Sequence, residues 1–319
     1  MAEKKVGIVG ATGYTGSELV RLLTHHPEVS LEVITSRSNV GDKFSDIHPQ
    51  FKGLADMKME DVKDLDKHTL DLVFLALPHT VSMDFVKEKG TKRYKIVDLS
   101  GDFRLKSVAT YEKWYKTKHS CPKMVKQAAF GLPELFRTSI RKARLVGNPG
   151  CYPTSAILAL APLLRQGVID PKEIIVDSKS GVTGAGAKVS EKTHFPEVFG
   201  DFKAYSLHHH RHTPEIEAAL KDYTGVKNQT LFTPHLLPVD RGILTTTYSK
   251  PKQEVNDEIL YGIFETFYRK EYFVRVVDEP PSIKNVRGSN FCDVHVSYDE
   301  RTNKIITVSA LDHLVKDAA

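Results

Sequence analysis

The segment Gly10-Ala11-Thr12-Gly13-Tyr14-Thr15-Gly16 follows a short β-branched run, residues 6–9, and opens a stretch in which Leu19, Leu22 and Leu23 recur at helical spacing. Few folds satisfy that order. A chain that turns tightly from strand to helix and brings its backbone close to an anion needs glycine wherever a Cβ would block the turn or the approach. The start of the helix then offers unpaired N–H groups and the positive end of its dipole. The strand–loop–helix context, more than the G-x-x-G-x-x-G spacing, makes this a phosphate-cradling turn. Gly10, Thr12, Gly13, Tyr14, Thr15 and Gly16 are its candidate cofactor contacts.

The surrounding pattern agrees. Residues 31–35, 72–77 and 95–99 are further short, nearly continuous apolar runs, as a parallel sheet covered on both faces requires. The first helix is stopped by His25-His26-Pro27. Residues 102–139 read as irregular and aromatic, and residues 144–147 as one more strand. After Gly150 a helix over about 154–165 leads into longer alternating strands at 173–177, 229–236, 243–248, 291–298 and 304–310, the last two facing each other across a hairpin loop at 299–303. The predicted architecture is a doubly wound α/β nucleotide-binding domain over 1–147, followed by an α+β domain with a mixed or antiparallel sheet over 148–310.

Composition narrows the class. With 319 residues the chain can bury two cores without disulfides or structural metals. The 45 basic and 40 acidic side chains are interspersed and leave a net charge of only +5, which argues against nucleic acid as a partner. The three cysteines are an odd number without close spacing, so neither a disulfide framework nor a zinc ribbon fits and a reducing compartment does. The start of the chain lacks the pattern of a secretory signal, and its longest apolar run is too short to span a bilayer. The expectation is a cytoplasmic protein that binds neither membrane nor metal.

Two motifs carry chemistry. At the end of the second strand, where an acidic residue would take the ribose hydroxyls of NAD, the chain has Ser36-Arg37-Ser38. Hydroxyls and a guanidinium suit a 2′-phosphate, so the predicted cofactor is NADP(H). Leu77-Pro78-His79 ends another strand where a parallel sheet meets its nucleotide, and is expected to touch the cofactor. Asn148-Pro149-Gly150-Cys151-Tyr152-Pro153-Thr154 lies at the junction of the two halves and starts an apolar helix. A cysteine there has its thiolate stabilised by the helix dipole and becomes a nucleophile. Cys121 and Cys292 have no such setting and are expected to be structural.

The glycine loop, Asp98-Leu99-Ser100-Gly101-Asp102-Phe103-Arg104-Leu105, Phe130 to Leu135, Asn148 to Thr154, Ser180 to Gly186 and His210-Arg211-His212-Thr213-Pro214-Glu215-Ile216 occur in that order and nearly span the chain. Together they resemble the N-acetyl-γ-glutamyl-phosphate reductase family of arginine biosynthesis, relatives of aspartate-semialdehyde dehydrogenase. The resemblance implies a Rossmann-type domain, an oligomer, and NADPH-dependent reduction of an acyl phosphate to an aldehyde through a Cys151 thioester. It implies His210 as acid/base, with His212 as the other candidate. Arg104, Asn148, His212, Glu215 and Arg241 would serve the substrate, and Ser180 and Gly181 the cofactor. It also implies that a C-terminal segment, about 311–319, returns to the nucleotide domain. Thr213 and Pro214 read as the cap and first residue of the helix after the histidines, and Arg211 and Glu215 act on them in opposite senses, which predicts an imidazole poised near neutral pH. The same motifs would serve a reductase of a one-carbon-longer aminoadipyl phosphate in lysine biosynthesis, and they also fit a non-catalytic NADP-binding protein.

Overall fold

The computed structural model describes residues 3–318. The chain divides into two compact units: the first runs to Pro149 and the second is Gly150–Asp317, with Ala318 grouped with the first.

The first unit carries a six-stranded sheet of β1 (Lys4–Val9), β2 (Val29–Thr35), β3 (Leu72–Leu75), β4 (Lys95–Asp98), β5 (Ala129–Phe130) and β6 (Leu145–Gly147) in the order β2-β1-β3-β4-β6-β5. All neighbouring pairs are parallel. The helices are α1 (Tyr14–Thr24), α2 (Phe44–Ile47), α3 (Ser82–Lys89), α4 (Val108–Tyr115), α5 (Pro122–Val125) and α6 (Pro133–Lys142). Val6, Ile8, Val33, Ile34, Val73, Leu75 and Ile96 are buried, as β-branched runs in a sheet covered on both faces must be. α1 buries Leu19, Val20 and Leu23, so its inward stripe includes Val20 and leaves Leu22 half-buried. The chain leaves β1 toward β2 on one side while β3 lies on the other, so the carboxyl ends of β1 and β3 flank the switch point where doubly wound sheets take their ligands. The stretch read as irregular, 102–139, contains α4, α5 and β5. α4 is announced by its cap, Ser107, whose hydroxyl accepts the Thr110 N–H at 3.2 Å, but buries Tyr111 alone, and a two-residue strand has no periodicity to read.

The second unit is built on a seven-stranded mixed sheet of β7 (Ile169–Gly181), β8 (Lys203–Ala204), β9 (Thr230–Leu237), β10 (Ile243–Pro251), β11 (Val274–Val276), β12 (Cys292–Asp299) and β13 (Lys304–Leu311), ordered β11-β12-β13-β10-β7-β9-β8. Its helices are α7 (Cys151–Gln166), α8 (Phe195–Val198), α9 (His212–Thr224), α10 (Asp257–Tyr268) and α11 (Ile283–Val286). α7 is buried from Tyr152 to Leu164, the state of a helix that is apolar all round. It packs on β7, β10 and β13 and is covered by α9 and α10. A proline inside it, Pro162, cannot supply the N–H that the carbonyl of Leu158 would take, and the Tyr268 hydroxyl of α10 donates to that carbonyl instead, at 2.6 Å.

Of the C-terminal segment expected to return to the nucleotide domain, residues through Asp317 are grouped with the second unit and Ala318 with the first. Leu311 pairs with Ile243 and Cys292, and the buried Asp312 carboxylate accepts the N–H groups of Gly288 and Leu314 and pairs with Arg241. A buried carboxylate that accepts two main-chain N–H groups and pairs with a guanidinium holds its segment where those partners are.

Candidate active site

In the first unit the glycine loop is shaped as its spacing requires. Gly10 has φ +90°, and a Cβ there would meet the carbonyl oxygen of Ala76 at 2.5 Å; a Cβ on Gly16 would meet that of Gly10 at 2.5 Å. Gly13 has nothing within 4 Å of its Cβ position, so open space lies before the turn. It caps α1 with no side-chain hydrogen bond. The N–H groups of Gly10 and Ala11 both donate to the carbonyl of Thr35, at 3.1 Å each, which joins the loop to the end of β2. This is a cradle an anion fits: glycine where backbone crowds backbone, open space at the middle glycine, and a helix start without a side-chain acceptor.

Beyond β2, Arg37 and Ser38 are exposed while Ser36 is buried. Asn39, missed in the sequence, organises the two serines: its side-chain oxygen accepts the Ser38 hydroxyl at 2.8 Å and its N–H donates to that of Ser36 at 3.3 Å. No carboxylate stands at Ser36-Arg37-Ser38, and the set fits a phosphorylated ribose.

Leu77, Pro78 and His79 follow β3 at the switch point, and His79 Nδ1 accepts the N–H of Gly101 at 2.8 Å. Next comes Thr80, a β-branched residue at φ +72°. The conformation is held by the buried carboxylate of Asp102, which accepts the N–H groups of Thr80 at 2.8 Å and Met83 at 3.0 Å and the Tyr111 hydroxyl at 2.8 Å. Its neighbour Asp98 is pushed up to about 6, chiefly by burial, with the Asp102 charge adding to it. Arg104 and Asn148, expected to serve the substrate, are tied to the main chain here. Arg104 Nε donates to the carbonyl of Asn148 at 2.6 Å and a terminal nitrogen to that of Leu99 at 2.8 Å, while the Asn148 N–H donates to Asp98 O at 2.8 Å.

In the second unit Cys151 is the first residue of α7 and half-buried, where the positive end of the helix favours a negative charge. The N–H of its cap, Gly150, donates to the Glu215 carboxylate at 2.7 Å. Glu215 is buried in the first turn of α9, so the residue expected on the substrate couples the start of α9 to the turn that presents the thiol. α9 begins at His212 with Arg211 as its cap, two residues earlier than Thr213 and Pro214 signalled; the Thr213 N–H is already bonded to the His210 carbonyl.

His210 sits among the rings of Tyr152 and Tyr205, each 5.6 Å away, Phe232 at 5.3 Å and His212 at 4.7 Å. Burial pushes it down to about 4, and the Arg211 charge adds to that, so the imidazole is held neutral rather than poised near pH 7. Its Nδ1 accepts the His212 N–H at 3.2 Å. Tyr205, another residue missed in the sequence, has its hydroxyl 3.0 Å from that of Tyr152, which donates to the His235 carbonyl at 3.0 Å. Both tyrosines lie within electrostatic reach of Cys151, and burial pushes Tyr205 up to about 12.

Ser180 lies beside the Tyr152 hydroxyl and bonds the Gly181 carbonyl. A Cβ on Gly181 would meet Asp240 O at 2.8 Å, so this glycine serves a backbone crossing. Arg241 is held by Asp312 through Nε at 2.9 Å in a buried ion pair. His313, also held neutral by burial, pushed down to about 4, accepts the Gly242 N–H and bonds the Thr183 hydroxyl at 2.9 Å. Cys292 is buried in β12, and Cys121 has its thiol pushed up by burial. Among the described residues no cluster of three or more His, Cys, Asp or Glu is placed to hold a metal ion, and no helix is long and apolar enough to cross a membrane.

Residues 5–143 match the model of the semialdehyde dehydrogenase NAD binding domain, and residues 151–313 that of the semialdehyde dehydrogenase dimerisation domain. N-acetyl-gamma-glutamyl-phosphate reductase of Desulforudis audaxviator is 48% identical over 319 residues, covering 99% of this chain and 92% of that protein. The chain belongs to the N-acetyl-γ-glutamyl-phosphate reductase family. The same-named protein of Methanococcus maripaludis is 46% identical, again over 99% of this chain and 92% of the relative. Among solved structures, aspartate semialdehyde dehydrogenase II from Vibrio cholerae superposes with a TM-score of 0.77 at 15% identity, covering 99% of this chain and 95% of that one. The Candida albicans aspartate semialdehyde dehydrogenase solved with NADP gives 0.69 at 14% identity, covering 99% and 96%. These show that the reductase family and the semialdehyde dehydrogenases share one fold.

Proposed function

We propose that this chain reduces N-acetyl-γ-glutamyl phosphate to the semialdehyde with NADPH, releasing phosphate, as a step of arginine biosynthesis. The observation that carries the reading is a thiol at the start of α7 sharing its surroundings with a neutral histidine whose tautomer is set. Because Nδ1 of His210 accepts a backbone N–H, its single proton is on Nε2, where it can be donated. The Cys151 thiolate attacks the acyl carbon, the bond to the phosphate oxygen breaks, and a thioester remains. When bound, NADPH supplies the hydride that the thioester carbonyl carbon accepts. His210 Nε2–H holds the oxygen on which negative charge develops, and collapse of that tetrahedral species expels the Cys151 thiolate and frees the aldehyde. Glu215 keeps the Gly150–Cys151 turn in position throughout. The glycine loop, Ser36, Arg37 and Ser38 and residues 77–79 are assigned to the cofactor, and Arg104 and His212 to the substrate.

We assign the dimer contact to the open face of the second sheet. α7 covers the face that carries Ser309, to which Ser155 is bonded; Ile175, Leu231 and Tyr248 register with one another across the opposite face and are exposed.

The test runs the reaction backwards: N-acetylglutamate semialdehyde, phosphate and NADP+ are mixed with the protein and the absorbance of reduced cofactor is followed. Reduced cofactor forms with the unmodified chain and not with Cys151→Ser. No turnover, or an equal kcat/KM for the one-carbon-longer semialdehyde, overturns the assignment.

A further inference from the structure

Between β2 and β3 the chain makes an excursion, residues 43–59, whose aromatic rings are set into the core of the first unit. Phe44 is fully buried and Phe51 nearly so, and both share one apolar cluster with Ala11 of the glycine loop and Leu19 of α1. Main-chain bonds from the Phe44 N–H to Met57 O at 2.8 Å and from the Met59 N–H to Asp42 O at 2.9 Å close the excursion on itself. His48 stands on this platform. Its N–H donates to the Phe44 carbonyl at 2.9 Å, its carbonyl accepts the Phe51 N–H at 3.0 Å, and its ring lies 4.7 Å from that of Phe44. Pro49 disfavours the helical conformation for the residue before it, and His48 leaves α2 at φ −123°, ψ 79°.

From there the half-buried imidazole reaches the glycine loop, 36 residues back in the chain: Nε2 lies 3.2 Å from the carbonyl oxygen of Thr12. A carbonyl only accepts, so Nε2 carries the proton and donates it. In a trans peptide the C=O and the N–H of the following residue point in opposite directions. Holding the Thr12 carbonyl toward His48 therefore aims the Gly13 N–H away from it. Gly13 is the glycine with open space at its Cβ position and the cap of α1, where the N–H groups of a helix start face an anion. The bonds that Gly10 and Ala11 make to the Thr35 carbonyl anchor the loop before this peptide and do not orient it.

We infer that His48 is a positioning residue for the diphosphate of the cofactor, acting through the Thr12–Gly13 peptide. The inference rests on the assignment of the glycine loop to the cofactor. The choice of nucleotide separates His48 from Arg37: the diphosphate is common to NADPH and NADH, whereas Arg37 is assigned to a 2′-phosphate that NADH lacks.

The experiment titrates the full chain calorimetrically with NADPH, NADH and adenosine 2′-monophosphate, which carries the 2′-phosphate and no diphosphate, for the unmodified chain, His48→Phe and His48→Gln, with thermal unfolding of each. Phenylalanine keeps a ring against Phe44 and removes the donor; glutamine keeps an N–H donor at comparable reach. His48→Phe is expected to raise the Kd of NADPH and of NADH by the same factor, roughly three- to tenfold, the worth of one hydrogen bond, and to leave that of adenosine 2′-monophosphate unchanged. His48→Gln restores most of the loss. An unchanged Kd for NADPH in His48→Phe overturns the inference. So does an equal weakening of adenosine 2′-monophosphate, which means that the nucleotide domain as a whole is disturbed, and so does a glutamine variant that binds no better than the phenylalanine one. If the unmodified chain binds none of the three nucleotides, the cofactor assignment itself fails and the role of His48 falls with it.

Discussion

With its Nδ1 engaged by the His212 N–H, and its pKa pushed down to about 4 by burial among aromatic rings, His210 can act at working pH only as a neutral donor through Nε2. That assigns it to the carbonyl oxygen rather than to a cationic partnership with the thiol. Its ionisation would then set an acid limb in the pH dependence of kcat near pH 4, and nothing near the ordinary histidine value of 6.5. An acid limb at pH 6–7 that disappears in His210→Gln would contradict this. Removing the ring, His210→Ala, should cost about 10²–10⁴-fold in kcat, the range of a lost proton donor, and His208→Ala far less. Arg37 has a different signature. Its exposed guanidinium is assigned to a phosphate that NADH lacks, so Arg37→Ala should raise the KM for NADPH about tenfold or more, the worth of a charge-assisted contact, and leave kcat/KM with NADH unchanged. Steady-state kinetics with both cofactors decides it.

α7 has to deliver Cys151 at one end while carrying a proline in its fourth turn, and the fold reconciles the two through α10. The hydroxyl of Tyr268 satisfies the Leu158 carbonyl that Pro162 leaves without a helical N–H. Tyr268→Phe should therefore destabilise the chain by about 1–3 kcal/mol, the cost of an unsatisfied buried carbonyl, with kcat unchanged. In a Pro162→Ala background, where the helix supplies its own N–H, the same substitution should cost much less; a denaturant-unfolding double-mutant cycle with additive values would remove the argument. No local pattern announces such a pairing, since Tyr268 and Leu158 lie 110 residues apart. The contrast runs through the whole molecule. Gly10, Gly13, Gly16 and Cys151 were legible because one local geometry, a strand turning into a helix start, demands those residue types at that place. Asn39, Asp102, Tyr205 and the Glu215 link to Gly150 were not, because a buried carboxylate or hydroxyl is interpretable only once its partners are known. α9 shows the middle case: Thr213-Pro214 reads as a helix start, yet a tertiary bond of Glu215 and the His210 turn set the first residue at His212. α10 has a readable cap in Asn256, whose side-chain oxygen accepts the Ile259 N–H, but it lies between alternating strands that dominate the local pattern.

On the scale of the whole molecule the buried titratable groups divide by unit and act in opposite senses as pH changes. His210 and His313, both in the second unit, are held neutral, each pushed down to about 4. Between about pH 6.5 and 4 the unfolded chain binds protons at these positions and the folded one does not, so their contribution is complete above 6.5 and is lost as pH falls toward 4. Asp98, in the first unit, is pushed up to about 6 from an ordinary 3.8. Over roughly 3.8 to 6 the folded state holds a proton there that the unfolded state has released, so its contribution is present at low pH and is lost as pH rises through 6. Carboxylates held below their ordinary value, Asp66 by Lys89 and Asp240 by Arg287, change the balance only below about 3.8 and stay outside this window. Acidification from pH 7 to 4.5 should therefore loosen the second unit while the first is held or strengthened. Amide hydrogen exchange, corrected for the intrinsic effect of pH, checks this directly: peptides from β9 and β10 should lose protection at pH 4.5 relative to those from β1, β3 and β4. The difference should shrink in His313→Gln, which removes one of the two protons taken up on unfolding. Equal loss in both units, or a larger loss in the first, would mean that charges outside these three groups govern the acid response.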